Sequence, residues 1–339
     1  MADDLRADVV LEGGGVKGIA LVGAISVLME AGYTFPRVAG TSAGAIVGAL
    51  LAADTSADDM RSIMAATDYR LFQDESWLDK LPGGKIVSLL FEDGIYEGEY
   101  LKTWLDGVLG DIDLFDHLAL PDDPDSALPP DQRYRLVVNV SDVSLGRLVR
   151  FPWDYDRIYG LDPGSQRIVD AVRASMSIPF FFEPVRLRYE RTVDGRQRAA
   201  TSVLVDGGML SNFPIDIFDR RDGRTPRWPT FGIKLSDRPG ALADSFPKNV
   251  DGPFTLAKAM LGTMTSYRDA MHVDRPDVRA RTIFVDTMGV TATDFDLDTA
   301  TQNALFDSGV DAAQRFLDGW DFDAYVAAHR SGSIGVDER

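Results

Sequence analysis

Three glycine-bearing turns carry the chemistry available to this 339-residue chain. Gly40-Thr41-Ser42-Ala43-Gly44 fits G-x-S-x-G, the sharp strand-to-helix turn that pushes a serine hydroxyl out above a sheet as a nucleophile for acyl transfer. Gly40 and Gly44 are the elbow glycines, needed because such a turn crowds the backbone. The bland alternative is a helix cap, with Ser42 or Thr41 opening an alanine-rich helix. Upstream, Gly13-Gly14-Gly15-Val16-Lys17-Gly18 places backbone N–H groups at a helix start, where the helix dipole favours negative charge. Such a loop can hold a phosphate or a transient oxyanion. Its spacing also satisfies the dinucleotide fingerprint G-x-G-x-x-G, but no acidic residue ends the second strand to hold a ribose. The ATP-binding loop fails as well, because Gly18 follows Lys17 where Ser or Thr is required.

A serine hydroxyl needs a base, and histidine is the usual one. The chain has three histidines: His117 in a polar stretch, His272 at a predicted helix end and His329 near the C-terminus. None follows a predicted strand or neighbours a turn signal. Asp206 is the better candidate, because it ends the apolar run Val203-Leu204-Val205 and Gly207 and Gly208 give it room. Asp-Gly is also a common hairpin signal, yet the residues after it, through Pro214, do not form a matching strand. An aspartate of ordinary pKa, about 3.9, is a poor base in water, so a Ser42-Asp206 pair requires a site that excludes water.

These groups need elements to position them. Val9 to Leu11 runs into the glycine turn and then into a helical pattern over 16–31; Val38-Ala39 runs into the serine turn and then into an apolar helix over 43–53. Two strand-turn-helix units in succession predict a parallel sheet with helices on its faces and ligands at the carboxyl ends of its strands. Further strands are expected over 134–140, 146–151, 185–189, 202–205, 231–235 and 282–285. Helices are expected over 56–66, 98–108, 166–174, 254–271 and 299–317. The proline-rich stretch 121–130 reads as a surface loop within one domain.

Composition excludes several classes. With 53 acidic against 35 basic side chains the formal charge is -18, which is wrong for a nucleic-acid binder. The same charge opposes an anionic membrane, so contact with lipid needs a local apolar or basic face. The chain has no cysteine, so disulfides, thiolate metal sites and cysteine nucleophiles are all absent. No metal is expected: Asp294-Phe295-Asp296-Leu297-Asp298 imitates a calcium loop but has Thr299 and Leu305 where glycine and glutamate are required, and it reads as a capped helix start. With no signal-peptide pattern and no apolar run long enough to span a bilayer, the expected compartment is cytoplasmic.

In their order along the chain, G-G-G-x-K-G, G-T-S-A-G and D-G-G resemble the patatin-like phospholipases. So do Ala174-Ser175-Met176-Ser177-Ile178-Pro179 and the Asn212 and Pro214 that trail Asp206. The resemblance implies a patatin-like three-layer α/β/α sandwich with a mostly parallel central sheet. It also implies hydrolysis of acyl esters of phospholipids or other glycerolipids by a Ser42-Asp206 dyad, without a cofactor. Backbone amides of the 13–18 loop would form the oxyanion hole: Gly13, Gly14, Gly15, Val16, Lys17 and Gly18. The expected division is a catalytic region over 5–237 and a C-terminal completion over 238–339 that offers a regulatory or partner surface. The substrate partner is a membrane lipid or lipid-like ester, met by peripheral contact. An unregulated lipase would threaten its own cell's membranes, which raises the expectation of gating by an activator or by homo-oligomerisation. Two alternatives stay open: a Ser-Asp-His carboxylesterase or thioesterase, and a nucleotide-binding module on the 13–18 turn. Phe180-Phe181-Phe182 is either core or the lining of an acyl channel.

Overall fold

The computed structural model describes residues 5–67, 99–126, 128–179, 181–235, 250, 259, 263, 273–292 and 294–330. The helix predicted over 254–271 lies outside the described residues except at positions 259 and 263, and so does the histidine at position 272. In chain order the strands are β1 (Leu5–Arg6), β2 (Asp8–Leu11), β3 (Tyr33–Thr34), β4 (Val38–Thr41), β5 (Leu136–Asp142), β6 (Arg147–Phe151), β7 (Val185–Val193), β8 (Arg196–Asp206), β9 (Thr230–Lys234) and β10 (Thr282–Phe284). The helices are α1 (Gly18–Glu30), α2 (Ala43–Ala52), α3 (Ala57–Ala66), α4 (Glu99–Leu109), α5 (Ile168–Ser175), α6 (Pro276–Arg279), α7 (Thr299–Leu317) and α8 (Phe322–His329).

The central sheet runs β10-β9-β2-β4-β5-β8-β7, with β6 on the other side of β5. From β10 to β5 every pairing is parallel, whereas β6 and β8 run antiparallel to β5. Alternate residues of the buried strands feed two cores, as the period of two requires. Val9, Leu11, Val38, Leu136, Val138 and Ile233 face α1, α2, α5 and α7. Val10, Ala39 and Val137 face the opposite layer, made by Phe213, Ile215, Phe218, Trp153 and Val278 of α6. The fold is an α/β sandwich with a mostly parallel central sheet.

Two glycines set the closest helix contact. A Cβ on Gly23 of α1 would lie 2.1 Å from the Phe306 carbonyl oxygen, and one on Gly309 of α7 would lie 2.1 Å from that of Ala20. The C-terminal helix α7 thus touches α1 backbone to backbone, and its Leu305, Phe306, Ala312 and Ala313 belong to the same core as the N-terminal strands. At the amino ends of the strands an arginine-aspartate network closes the molecule. Asp8 pairs with Arg37, and Asp219 accepts from both Arg281 and Arg330, at 2.6 to 2.7 Å. No helix among the described residues is long and apolar enough to cross a membrane.

Candidate active site

Register on β5 brings the two principal site residues together. Strand β4 runs parallel to β5 and ends with Thr41 opposite Asn139. Strand β8 runs along the same edge in the opposite direction and ends with Asp206 opposite Val140. The two strands meet head-on, so the residue after Thr41, which is Ser42, lies beside Asp206 although 163 positions separate them in the chain.

The elbow is strained in the way its motif requires. Ser42 has φ 52° and ψ -124°, a left-handed geometry that a side chain adopts at a cost of roughly 1 to 3 kcal/mol. The flanking glycines are sterically compelled: a Cβ on Gly40 would lie 2.2 Å from the Gly44 carbonyl oxygen, and one on Gly44 would lie 2.4 Å from that of Leu11. Ser175 at the end of α5 holds the turn by accepting from the Ser42 N–H at 2.8 Å and donating to the Asn139 carbonyl at 2.7 Å. The Asn139 amide in turn donates to Thr41 Oγ1 at 3.1 Å. The Ser42 hydroxyl donates to Met176 Sδ at 3.4 Å, and Ser42 stands close enough to the Asp206 carboxyl to lower its pKa.

Asp206 is buried, and burial pushes its carboxyl up to about 6, against the lowering effect of hydrogen bonds from the Gly208 amide and Ser42. Gly208 N–H donates to Asp206 Oδ1 at 2.7 Å, and the Asp206 N–H is held by the Ser177 carbonyl at 2.9 Å. Gly207 has no room for a side chain, since a Cβ would lie 2.2 Å from the Asn139 carbonyl oxygen.

The glycine loop sits against this pair, because a Cβ on Gly13 would touch the Ser42 Cβ at 3.0 Å. Its amides are not equivalent. The Gly13 N–H goes to the Asn212 carbonyl at 3.4 Å, Val16 to Ala292 at 3.2 Å and Lys17 to Gly14 at 3.2 Å, while Gly18 donates to the Gly15 carbonyl. The amides of Gly14 and Gly15 have no acceptor among the described residues. The loop opens with a 3-10 turn over Gly15–Lys17, so α1 begins at Gly18 and not at Val16. Only glycine suits position 15, where φ is 56° and a Cβ would lie 1.9 Å from the Ala292 carbonyl oxygen. Asn212 Nδ2 donates to the Gly13 carbonyl at 3.0 Å, tying this loop to the segment after Asp206. Glu12 anchors the same end of the loop through an ion pair with Lys234 and a 2.5 Å bond from the Leu235 N–H.

Beside Ser42 lies an apolar cavity of about 10 Å³, lined in part by Ala43, Ile46, Met64, Met176, Phe182 and Phe295. Phe182 therefore borders the site, and Phe181 packs on Phe295; Phe180 lies outside the described residues. Two histidines are far away. His117 stands beside the turn that leads into the amino end of β5, where it pairs with Asp113 at 3.6 Å. His329 ends α8 next to Arg330 and the amino-end network. The stretch 294–298 caps a helix, Asp298 accepting from the Thr301 N–H at 2.7 Å.

A model of the patatin-like phospholipase family matches residues 9–219, the span that holds the elbow, the glycine loop and Asp206. This chain belongs to the patatin-like phospholipase family. The uncharacterized protein YqhO of Bacillus subtilis is 34% identical over 319 residues, covering 93% of this chain and 99% of the relative. The uncharacterized protein R571 of Acanthamoeba polyphaga mimivirus is 23% identical, covering 90% and 91%. Among solved structures, VipD from Legionella pneumophila shares the fold with a TM-score of 0.51 and 18% identity, over 92% of this chain and 66% of VipD. This patatin-like chain thus spans slightly under two thirds of VipD's length.

The sequence reading did not single out Glu12, Asn139 or Lys234 in this site. Each is polar and buried on an otherwise apolar strand or strand end, and that break in pattern was the available signal. Ser175 and Asn212 lay in the family-like segments without a role attached to them.

Proposed function

We propose that this patatin-like protein is a lipid acyl hydrolase that works through a Ser42-Asp206 dyad and an acyl-enzyme. The observation that carries the reading is the head-on meeting of β4 and β8, which pairs a strained serine with a buried aspartate of raised pKa. Asp206 takes the Ser42 proton as Oγ attacks the ester carbonyl. The free amides of Gly14 and Gly15 receive the oxyanion, each donor being worth about 10²- to 10³-fold in rate. Asp206 returns the proton to the departing alcohol, then activates water to release the acid. The apolar wall of Ile46, Met64, Met176, Phe182 and Phe295 suits an acyl chain. A 10 Å³ cavity has room for about one water, so the two methionines must rotate to admit a chain. Ser42 itself is only 4% exposed, which favours a gated enzyme opened by an activator, oligomerisation or the lipid surface.

A fluorophosphonate probe tests the assignment. Wild type should be labelled at Ser42; Ser42→Ala should not be labelled, and Asp206→Asn should react far more slowly. A folded wild type that stays unlabelled in the presence of lipid removes Ser42 as nucleophile. Replacing His117, His272 and His329 together by glutamine should leave labelling intact, whereas its loss would favour the Ser-Asp-His alternative. Saturable stabilisation by a nucleotide without labelling of Ser42 would favour the nucleotide module.

A further inference from the structure

The strand that delivers Asp206 continues well past the sheet it belongs to. Only residues 204–206 of β8 pair with β5, while the ladder with β7 runs through nine pairs to Val193 and Arg196. Residues 196–202 therefore extend beyond the carboxyl end of β5, by roughly 20 Å at about 3.4 Å per residue. The hairpin closes on Asp194 and Gly195, both with positive φ, as a two-residue turn.

This arm is cationic in a chain of net charge -18. It carries Arg186, Arg188, Arg191, Arg196 and Arg198, all exposed, against Glu190 and Asp194. Arg188, Arg191, Arg196 and Arg198 have no ion-pair partner among the described residues. Arg191 and Arg198 stand directly opposite each other in the ladder, and Arg196 lies on the same face at the tip. Like charges so placed cost stability, and a two-stranded ribbon in water has little to spare. At the arm's base, the Val143 amide donates to the Val203 carbonyl and the Val203 amide to Ser144 Oγ. That contact sets the exposed Val143 and Leu145 of the β5-β6 turn at the base of the arm, where Val203 pairs with Arg186, with Arg198 and Arg196 further out along the same strand by about 17 Å or more.

We infer that the β7-β8 arm, with the 143–146 turn at its base, docks the protein on an anionic lipid surface. Exposed cations along an arm that has protruding apolar side chains at its base can bind an interface by charge and by burial together. An anionic bilayer is the occupant that fits, because the arm supplies the local basic face that the acidic remainder lacks. The strand held at the surface is the one that ends at Asp206, so docking fixes the orientation of the site relative to the lipid. The inference rests on the lipid hydrolase reading for its purpose but not for its measurement.

Sedimentation with phosphatidylcholine vesicles, with and without phosphatidylglycerol, tests it in a Ser42→Ala background that leaves the lipid intact. The 339-residue chain should bind only the anionic vesicles, and binding should fall as salt rises. Each arginine near an anionic surface is worth about fivefold in partitioning, so Arg191→Gln, Arg196→Gln and Arg198→Gln together should weaken binding on the order of 100-fold. The Arg-to-Lys triple variant should keep most of it. Val143→Ser with Leu145→Ser should weaken binding at high salt, where charge is screened. Equal binding to neutral vesicles, indifference to salt, or full binding by a folded glutamine variant would each overturn the inference. Vesicle binding as described by a wild type that no fluorophosphonate labels would leave the docking surface standing and remove the hydrolase.

Discussion

At the scale of single residues, the site depends on one carboxyl group being in the wrong medium. Burial raises Asp206 to about 6, and in its proposed role as base it must be ionised. Activity on a soluble ester should therefore fall about tenfold per pH unit below pH 6 and level off above it, a profile that initial rates across pH will show. The effect on stability has the opposite sign. A carboxyl whose folded pKa lies above its unfolded value, 3.8, favours the folded state when protonated. That contribution is complete below pH 3.8 and is lost as pH rises through 6. Asp206→Asn, neutral at every pH, should then be inactive yet more stable than wild type near pH 8, by up to about 3 kcal/mol in denaturant melts. Equal stability of the two proteins there would mean that the carboxyl is not desolvated.

At the scale of elements, two junctions position the dyad. One is the head-on meeting of β4 and β8 along β5; the other is the backbone contact of α1 with α7, which backs the helix that follows the glycine loop. Gly309→Val should drive a side chain into the Ala20 carbonyl, where even a Cβ would sit at 2.1 Å. The expected loss is about 3 kcal/mol in thermal or urea unfolding. Because α1 follows the glycine loop through the single 3-10 turn Gly15–Lys17, the loss should be accompanied by a lower kcat on soluble esters. A neutral effect on both would show that the helices can separate without disturbing the loop.

At the scale of the whole molecule, the two ends of the sheet do different work. The carboxyl end holds Ser42, Asp206, the free amides and the basic arm. The amino end holds the network in which Asp219 serves both Arg281 and Arg330 and so fastens α8 to the strands. Asp219→Ala leaves two guanidinium groups, one fully buried, without their carboxylate, and should cost about 3 to 5 kcal/mol of stability. The kcat of the protein that remains folded should be unchanged, since nothing in the network touches the dyad. A matching fall in kcat would mean that the two ends are coupled through the sheet.

The motifs were legible because glycine is compelled at their key positions: Gly40 by the Gly44 carbonyl of its own turn, Gly15 by its φ of 56°, and Gly44 and Gly207 by carbonyl oxygens of neighbouring strands that the turns press against. The strand-turn-helix units could be read for a similar reason, since burial on both faces of a parallel sheet writes itself as short β-branched runs. The β7-β8 arm could not be read in full. Only 185–189 and 202–205 were expected as strand, because a ribbon exposed on both faces carries no alternation, and the Asp194-Gly195 turn that marks its tip went unused. Which amides of the 13–18 loop stay free was also not a local matter. It is settled by acceptors at Asn212 and Ala292, about two hundred residues or more away in sequence. From the sequence alone follow the family, the sheet and the candidacy of Ser42 and Asp206. Their pairing, the depth that raises the aspartate's pKa and the cationic arm were decided by tertiary register, since a strand's sequence does not state where along its neighbour it will end.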